Sequence, residues 1–155
     1  MTQVRPVRTP SGRRLEVSHV VAAASEDAWD AIVDTHRWPD WSPLIEGVES
    51  SERRLEAGTV GRILVEPSFA SGSVRLPFPR TSVWLPFEIT DCSERNRRWS
   101  WTVAGLPGAD HRVDHLAGGR TRCRIAFELP PAAVGYVPIC LRALERLEDL
   151  LTDAD

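Results

Sequence analysis

Two spacings of apolar residues alternate along the chain, one with a period of two and one near 3.6. Leu15, Val17 and His19 alternate before running into Val20 and Val21, which predicts a first strand over residues 13–21. Ser25 then leads Glu26 and Asp27 into a stripe of Ala28, Trp29, Ile32 and Val33, the pattern of an amphipathic helix with acids in its first turn. Pro39 and Pro43 cannot both lie inside regular helix, so residues 36–43 read as a short helical turn wrapped by loop. The ten residues before Ser11 show neither spacing and read as a loose lead-in.

From Leu44 the period returns to two. Residues 44–55 and 59–66 predict two strands joined around Ala57-Gly58. Residues 67–80 are rich in Gly, Ser and Pro, with a short edge strand expected over 73–76. Val83, Leu85, Phe87 and Ile89 alternate, and Pro86 marks that strand as irregular or at an edge. Trp84 falls on the opposite phase unless Pro86 resets it. Trp99, Trp101 and Val103 form the next set, followed by His111, Val113 and His115, and then by Cys123, Ile125, Phe127 and Leu129.

The last two sets read as a hairpin. A three-residue loop of Gly118, Gly119 and Arg120 opposes Asp114 to Arg124 and Val113 to Ile125. Charges then share one face and apolar residues the other, with His111 and His115 beside Ile125 and Phe127. Beyond Pro130-Pro131, Leu141, Leu144, Leu147, Leu150 and Leu151 stripe a C-terminal helix that Pro138 should kink or interrupt. The order predicts a single α+β domain over residues 1–155. In it, a curved antiparallel sheet has one face covered by the C-terminal helix.

Composition narrows the function classes. A chain of 155 residues with 42% hydrophobic and 26% charged content is ordinary globular material. Nineteen basic residues against 22 acidic ones, with no basic tract, argue against nucleic acid as a partner. All the basic residues are Arg, which excludes a Lys Schiff base or a phosphate-loop lysine. The run Val20 to Ala24 is too short to span a bilayer, and no signal-peptide layout leads the chain. Cys92, Cys123 and Cys140 lack the paired spacing of a disulfide framework or thiolate metal site. A soluble cytoplasmic domain is expected.

Chemistry-bearing residues are few. His111 and His115, four apart on a strand, stand roughly 13 Å apart and do not chelate one ion, so no metal is expected. His111 on an apolar inner face either binds a ligand oxygen or moves a proton, unless it is simply paired to backbone at a strand end. Trp99 and Trp101 either fill the interior or wall a flat ligand. Cys123 reads as a small buried hydrophobe. Arg97 and Asp91, on the phase of Trp99 and Ile89, either pair inside and anchor a polar head or lie exposed at strand ends. Glu88, Arg98, Arg112, Asp114, Arg122 and Glu128 take the outward phase and read as solvated sheet surface.

Ser25 to Trp29, then Trp38-Pro39-Asp40-Trp41-Ser42-Pro43, then Gly118-Gly119-Arg120-Thr121-Arg122 before a terminal amphipathic helix, resemble the polyketide cyclase/dehydrase and START-related superfamily. The likeness covers about residues 13–152, with the Pro-rich stretch of residues 67–86 as a departure. It implies the helix-grip fold: about seven antiparallel strands around the long helix, two short helices after the first strand, and an apolar cavity between sheet and helix. It further implies a hydrophobic small molecule as partner, whether lipid, polyketide or aromatic, and no cofactor. The expected lining is Trp41, Phe87, Arg97, Trp99, Trp101, His111, Val113, Cys123, Ile125, Phe127, Val134 and Leu141. The alternatives are a cyclase or dehydratase with His111 as its catalytic group, and a non-catalytic assembly or co-chaperone module. A second copy of the chain, making a homodimer, is the other candidate partner.

Overall fold

Alternating apolar positions build one curved antiparallel sheet, and the two amphipathic helices close its concave face. The computed structural model describes residues 2–10, 12–66, 82–117 and 120–153. The strands are β1 (Thr2–Thr9), β2 (Gly12–Val21), β3 (Ile45–Ser50), β4 (Val60–Val65), β5 (Val83–Ser93), β6 (Arg98–Val103), β7 (Leu106–Pro107), β8 (Asp110–His115) and β9 (Cys123–Leu129). They pair in the order β1-β2-β9-β8-β6-β5-β4-β3, with β7 attached to β6. The helices are α1 (Ser25–Val33), α2 (Trp38–Trp41) and the long α3 (Val137–Thr152). This is the helix-grip arrangement, with a larger sheet than the expected seven strands.

The lead-in is the main source of that difference. β1 pairs with β2 along its whole length, from Thr2 opposite His19 to Thr9 opposite Gly12. It is an edge strand exposed along most of its length, so burial imposes no alternation on it, and backbone pairing holds it instead. Pro6 is tolerated at such an edge. Gly12, at φ +109°, takes a conformation open to glycine where the chain turns into β2.

Pro86 lies inside the sheet, not at an edge, since β5 runs between β4 and β6. Its carbonyl accepts from Ala104 N (2.8 Å), so its nitrogen also faces the β6 side, just where β6 ends. The missing N–H therefore costs the ladder little. The phase is not reset at Pro86: Trp84 stays on the outer face, with the Arg62 guanidinium 4.4 Å from its ring centroid. The reset comes later. Ile89 faces Trp101 and Asp91 faces Ser100, which leaves Thr90 as an extra residue in a bulge.

The hairpin register matches expectation, with Asp114 opposite Arg124 and Val113 opposite Ile125. Gly118 and Gly119 of its loop, and the edge strand expected over 73–76, lie outside the described residues. Pro138 acts as an interruption: a 3-10 segment (Pro131–Tyr136) precedes it, and α3 starts at Val137. Cys140, Ala143, Leu144 and Leu147 of α3 are buried against Val17, Val113, Ile125 and the other inner-face residues in one core. No helix among the described residues is long and apolar enough to cross a membrane.

The outer face is not the solvated surface its phase suggested. Glu16 and Glu128 oppose each other on β2 and β9 and are each only 3% exposed. Arg112 bridges them, Nη2 donating to Glu16 (3.0 Å) and Nη1 to Glu128. Arg5 adds a bond to Glu16 (3.1 Å), and Arg98 bonds both Glu128 (3.0 Å) and Asp110 (2.9 Å). Guanidinium groups thus cover the carboxylates that the strands bring together.

Candidate functional site

On the inner face, four strands and a helical turn deliver aromatic rings to one place. Trp99 of β6 and His111 of β8 are directly opposed, and their rings stack at 3.7 Å with planes 6° apart. Trp38 lies near-parallel to Trp99 at 5.5 Å. Trp101 stands edge-on to Trp99 (5.4 Å), Trp38 (5.5 Å) and His111 (5.8 Å). Phe87 tilts against Trp38 and Trp101, while Phe127 meets His111 at 5.1 Å and Trp41 at 6.1 Å. Such pairs add about 0.5–1.5 kcal/mol each beyond area burial.

The rings differ in how their polar atoms are met. Trp38 and Trp41 lie three apart in α2, and both indole N–H groups donate to carbonyls of α1, Ile32 O (3.0 Å) and Ala31 O (3.1 Å). Trp99 Nε1, Trp101 Nε1 and His111 Nδ1 are buried and have no hydrogen-bond partner. Burial pushes the His111 pKa down to about 3, opposed by the charge of Asp110 and by the nearby backbone of Ala109 and Trp99. Neither backbone group meets Nδ1 in hydrogen-bond geometry, so the ring sits neutral and unpaired at that atom.

The rim of this cluster is apolar and partly open. Leu85, Trp101 and Val103 share the inner phase of Phe87 and Trp99, yet they are only half-buried, as are Val137 and Leu141 of α3. Strand registers put Leu85 and Val103 toward the same end of the sheet as Leu129, the end at which α3 begins.

Of the expected lining, Trp41, Phe87, Trp99, Trp101, His111 and Phe127 come together. Val113 and Ile125 are buried opposite each other in the adjoining core. Cys123 is fully buried, and desolvation raises its thiol pKa to about 11, an inert buried side chain. Arg97 and Val134 stand apart from the rings. Arg97 sits in the β5–β6 turn at φ +48°, and its charge is felt at Cys123. The bulge turns Asp91 outward, so the inward Arg97–Asp91 pair is not formed. Val134 is 58% exposed on the 3-10 segment. His115 is exposed, with its Nδ1 3.4 Å from Ser25 Oγ.

Trp38 is the ring that the sequence reading left out of the lining. Its signal was the i, i+3 spacing of Trp38 and Trp41, which puts both indoles on one side of a helical turn. Among the described residues, no group of His, Cys, Asp and Glu could hold a metal ion.

Comparison with known proteins agrees with this architecture. A family model described as polyketide cyclase/dehydrase and lipid transport matches residues 13–150. A Rhodobacter sphaeroides protein of known structure superposes with a TM-score of 0.65 at 17% identity, covering 100% of both chains. A START superfamily protein from Mycobacterium smegmatis gives 0.66 at 14% identity, over 92% of this chain and 99% of that one. Ara h 8.0201 gives 0.60 at 12% identity, over 97% and 99%. At these identities the likeness is one of fold. A comparison with curated proteins returned no match.

Proposed function

The chain belongs to the polyketide cyclase/dehydrase and lipid transport family, and from that premise we propose that it binds a small or medium hydrophobic molecule against its inner aromatic cluster. The observation that supports this reading is the half-buried apolar rim. Leu85, Trp101 and Val103 point to the concave side but are not sealed by α3, so a guest can bury them as the core buries Phe87. Binding would proceed by desolvation of a flat apolar body, with ring faces selecting its shape.

Within this reading His111 is a hydrogen-bonding group and not a base. A ring whose pKa lies at about 3 accepts a proton poorly near neutral pH, which weighs against cyclase or dehydratase chemistry driven by this residue. Native mass spectrometry of the purified protein tests the proposal. A co-purifying apolar molecule of defined mass is expected. A bare mass, together with no quenching of tryptophan fluorescence by flat aromatic probes, sinks it.

A second reading rests on a separate observation. Val83, Trp84 and Leu106 are exposed and the strand registers carry them to one end of the sheet, and Val134 and Tyr136 are exposed on the 3-10 segment that follows β9. With the stacked rings filling the interior, this end would serve as an assembly surface, for which a second copy of the chain is the simplest partner. Concentration-dependent mass in light scattering, abolished by Leu106→Glu, favours that alternative.

A further inference from the structure

We infer that the end of the sheet at which α3 begins is a docking face for a lipid bilayer carrying anionic headgroups. The inference goes beyond the binding reading and does not depend on it. Three segments meet at this end: residues 83–87, which open β5, residues 99–109, which run from β6 through β7, and residues 129–141, which run from β9 through the 3-10 segment into α3. None of these residues is charged, in a chain that is 26% charged. Val83, Leu106, Val134 and Tyr136 are exposed on them, Leu106 at 70%. A core segment hides its apolar residues and a solvated loop carries charges, and these exposed tips do neither. Tyr136 has the apolar body and polar end of side chains that settle at membrane interfaces. The backbone here is also poor in free donors. Pro107, Pro130, Pro131 and Pro138 have no N–H, and those of Ala104, Gly108 and Ala133 already donate to the carbonyls of Pro86, Trp101 and Pro130. Few donors are left to desolvate in lipid.

Charge is the second observation, and it selects the kind of membrane. The turn between β1 and β2 reaches the same end, because Leu15 lies opposite Leu129 and the 3-10 segment packs beside β2. Residues 2–15 hold Arg5, Arg8, Arg13 and Arg14 and no acid. Arg5 is taken up by Glu16. Arg8 and Arg13 are directly opposed across the hairpin, both exposed, and neither pairs with an acid among the described residues. Like charges so placed repel, and an anion beside them removes the cost. The acids of this end lie elsewhere: Glu46 and Glu66 belong to the opposite edge, by β3 and β4, and Asp110 is bonded by Arg98. A layer of anionic headgroups meets the arginine pair while the uncharged tips enter the acyl boundary. A second copy of the chain would match the apolar tips but bring the same arginines and no acid from this hairpin.

The test is co-sedimentation of the intact protein with vesicles of phosphatidylcholine alone, and of phosphatidylcholine with one quarter phosphatidylglycerol, at low and high salt. Binding to the anionic vesicles is expected, weakened by salt and much weaker on phosphatidylcholine alone. Arg8→Gln with Arg13→Gln should cut it about tenfold or more, since each arginine near such a surface contributes roughly fivefold. Leu106→Gln should cut it about tenfold through lost apolar burial. Arg95→Gln with Arg122→Gln removes the same charge from exposed positions at the opposite end of the sheet and should leave binding nearly unchanged. All five positions are exposed, and circular dichroism checks that each variant keeps the fold. Equal losses in the two arginine pairs, or equal binding to the two vesicles, overturn the inference. Protein that stays in the supernatant with both vesicles overturns it too. A doubled mass in light scattering, lost in Leu106→Gln, then gives this end to a second copy. None of these results bears on the bound guest, which the mass spectrometry above tests separately.

Discussion

Glu16 and Glu128 face each other across β2 and β9 with almost no solvent exposure, and Arg112 from β8 is the group that bonds both. Two buried carboxylates at such a distance are tolerable only with a cation between them. Arg112→Met should therefore destabilise the fold by about 3–5 kcal/mol, measured by urea unfolding. Adding Glu16→Gln and Glu128→Gln should recover much of that loss.

Glu16 sets an acid limit. Burial raises the Glu16 pKa, but hydrogen bonds and charges from Arg112 and Arg5 outweigh this and leave it below the usual glutamate value. With the folded value depressed, the unfolded chain binds the proton first as pH falls. Stability from Glu16 is thus complete above the unfolded pKa, about 4.3, and is lost as pH drops through the folded value. The stability gap between wild type and Glu16→Gln should be constant above about pH 5 and close below it.

His111 acts in the same direction over a higher window. Its folded pKa of about 3 lies below the unfolded value of about 6.5, so protons favour the unfolded chain throughout that range. Denaturant midpoints should fall steadily from pH 7 toward pH 4, and His111→Phe should flatten that slope while keeping the stack on Trp99. A His111 imidazole signal, assigned by its loss in His111→Phe, titrating near pH 6.5 in the folded protein would contradict this.

Thiol chemistry should be quiet. Burial raises the pKa of Cys140 to about 12, and of Cys92 and Cys123 to about 11. At pH 8 a disulfide reagent such as Ellman's should label none of them within minutes in the native state, and all three once the chain is denatured.

Gly108 packs against the Trp101 indole so closely that a Cβ there would lie 2.3 Å from Nε1. Gly108→Ala should cost about 1–3 kcal/mol through overpacking. Because the displaced ring belongs to the inner aromatic cluster, tryptophan emission should shift even at temperatures where the variant stays folded.

Local signals were legible in the sequence. The α3 leucine stripe, the helix from Ser25 and the charge-matched hairpin register each depend on residues close in the chain, and all stand as read. β1 escaped because pairing at an exposed edge leaves no apolar pattern. Glu128 reads as surface because its phase is outward, whereas the long side chains of Arg112 from β8 and Arg98 from β6 reach across to cover it. Asp91 misled because an extra residue in one strand has no mark in composition. The aromatic cluster was largely readable from strand phase. The missing partners of its nitrogens were not, since that depends on where every nearby carbonyl ends up.

The bulge at Thr90 carries a rule about chain length. Ile89 and Cys92 both face inward only because Thr90 takes no place in the ladder opposite β6. Removing Thr90 alone would leave Ile89, Asp91 and Cys92 opposite Trp101, Ser100 and Trp99 as they are now. Removing Asp91 instead would let Thr90 take its place opposite Ser100, whereas removing an interior residue of β5 away from the bulge would turn one half of the strand inside out. Relatives whose β5 is one residue shorter should therefore be aligned with their gap at Thr90 or Asp91, and gene variants that survive a single-codon loss in this strand should be found there.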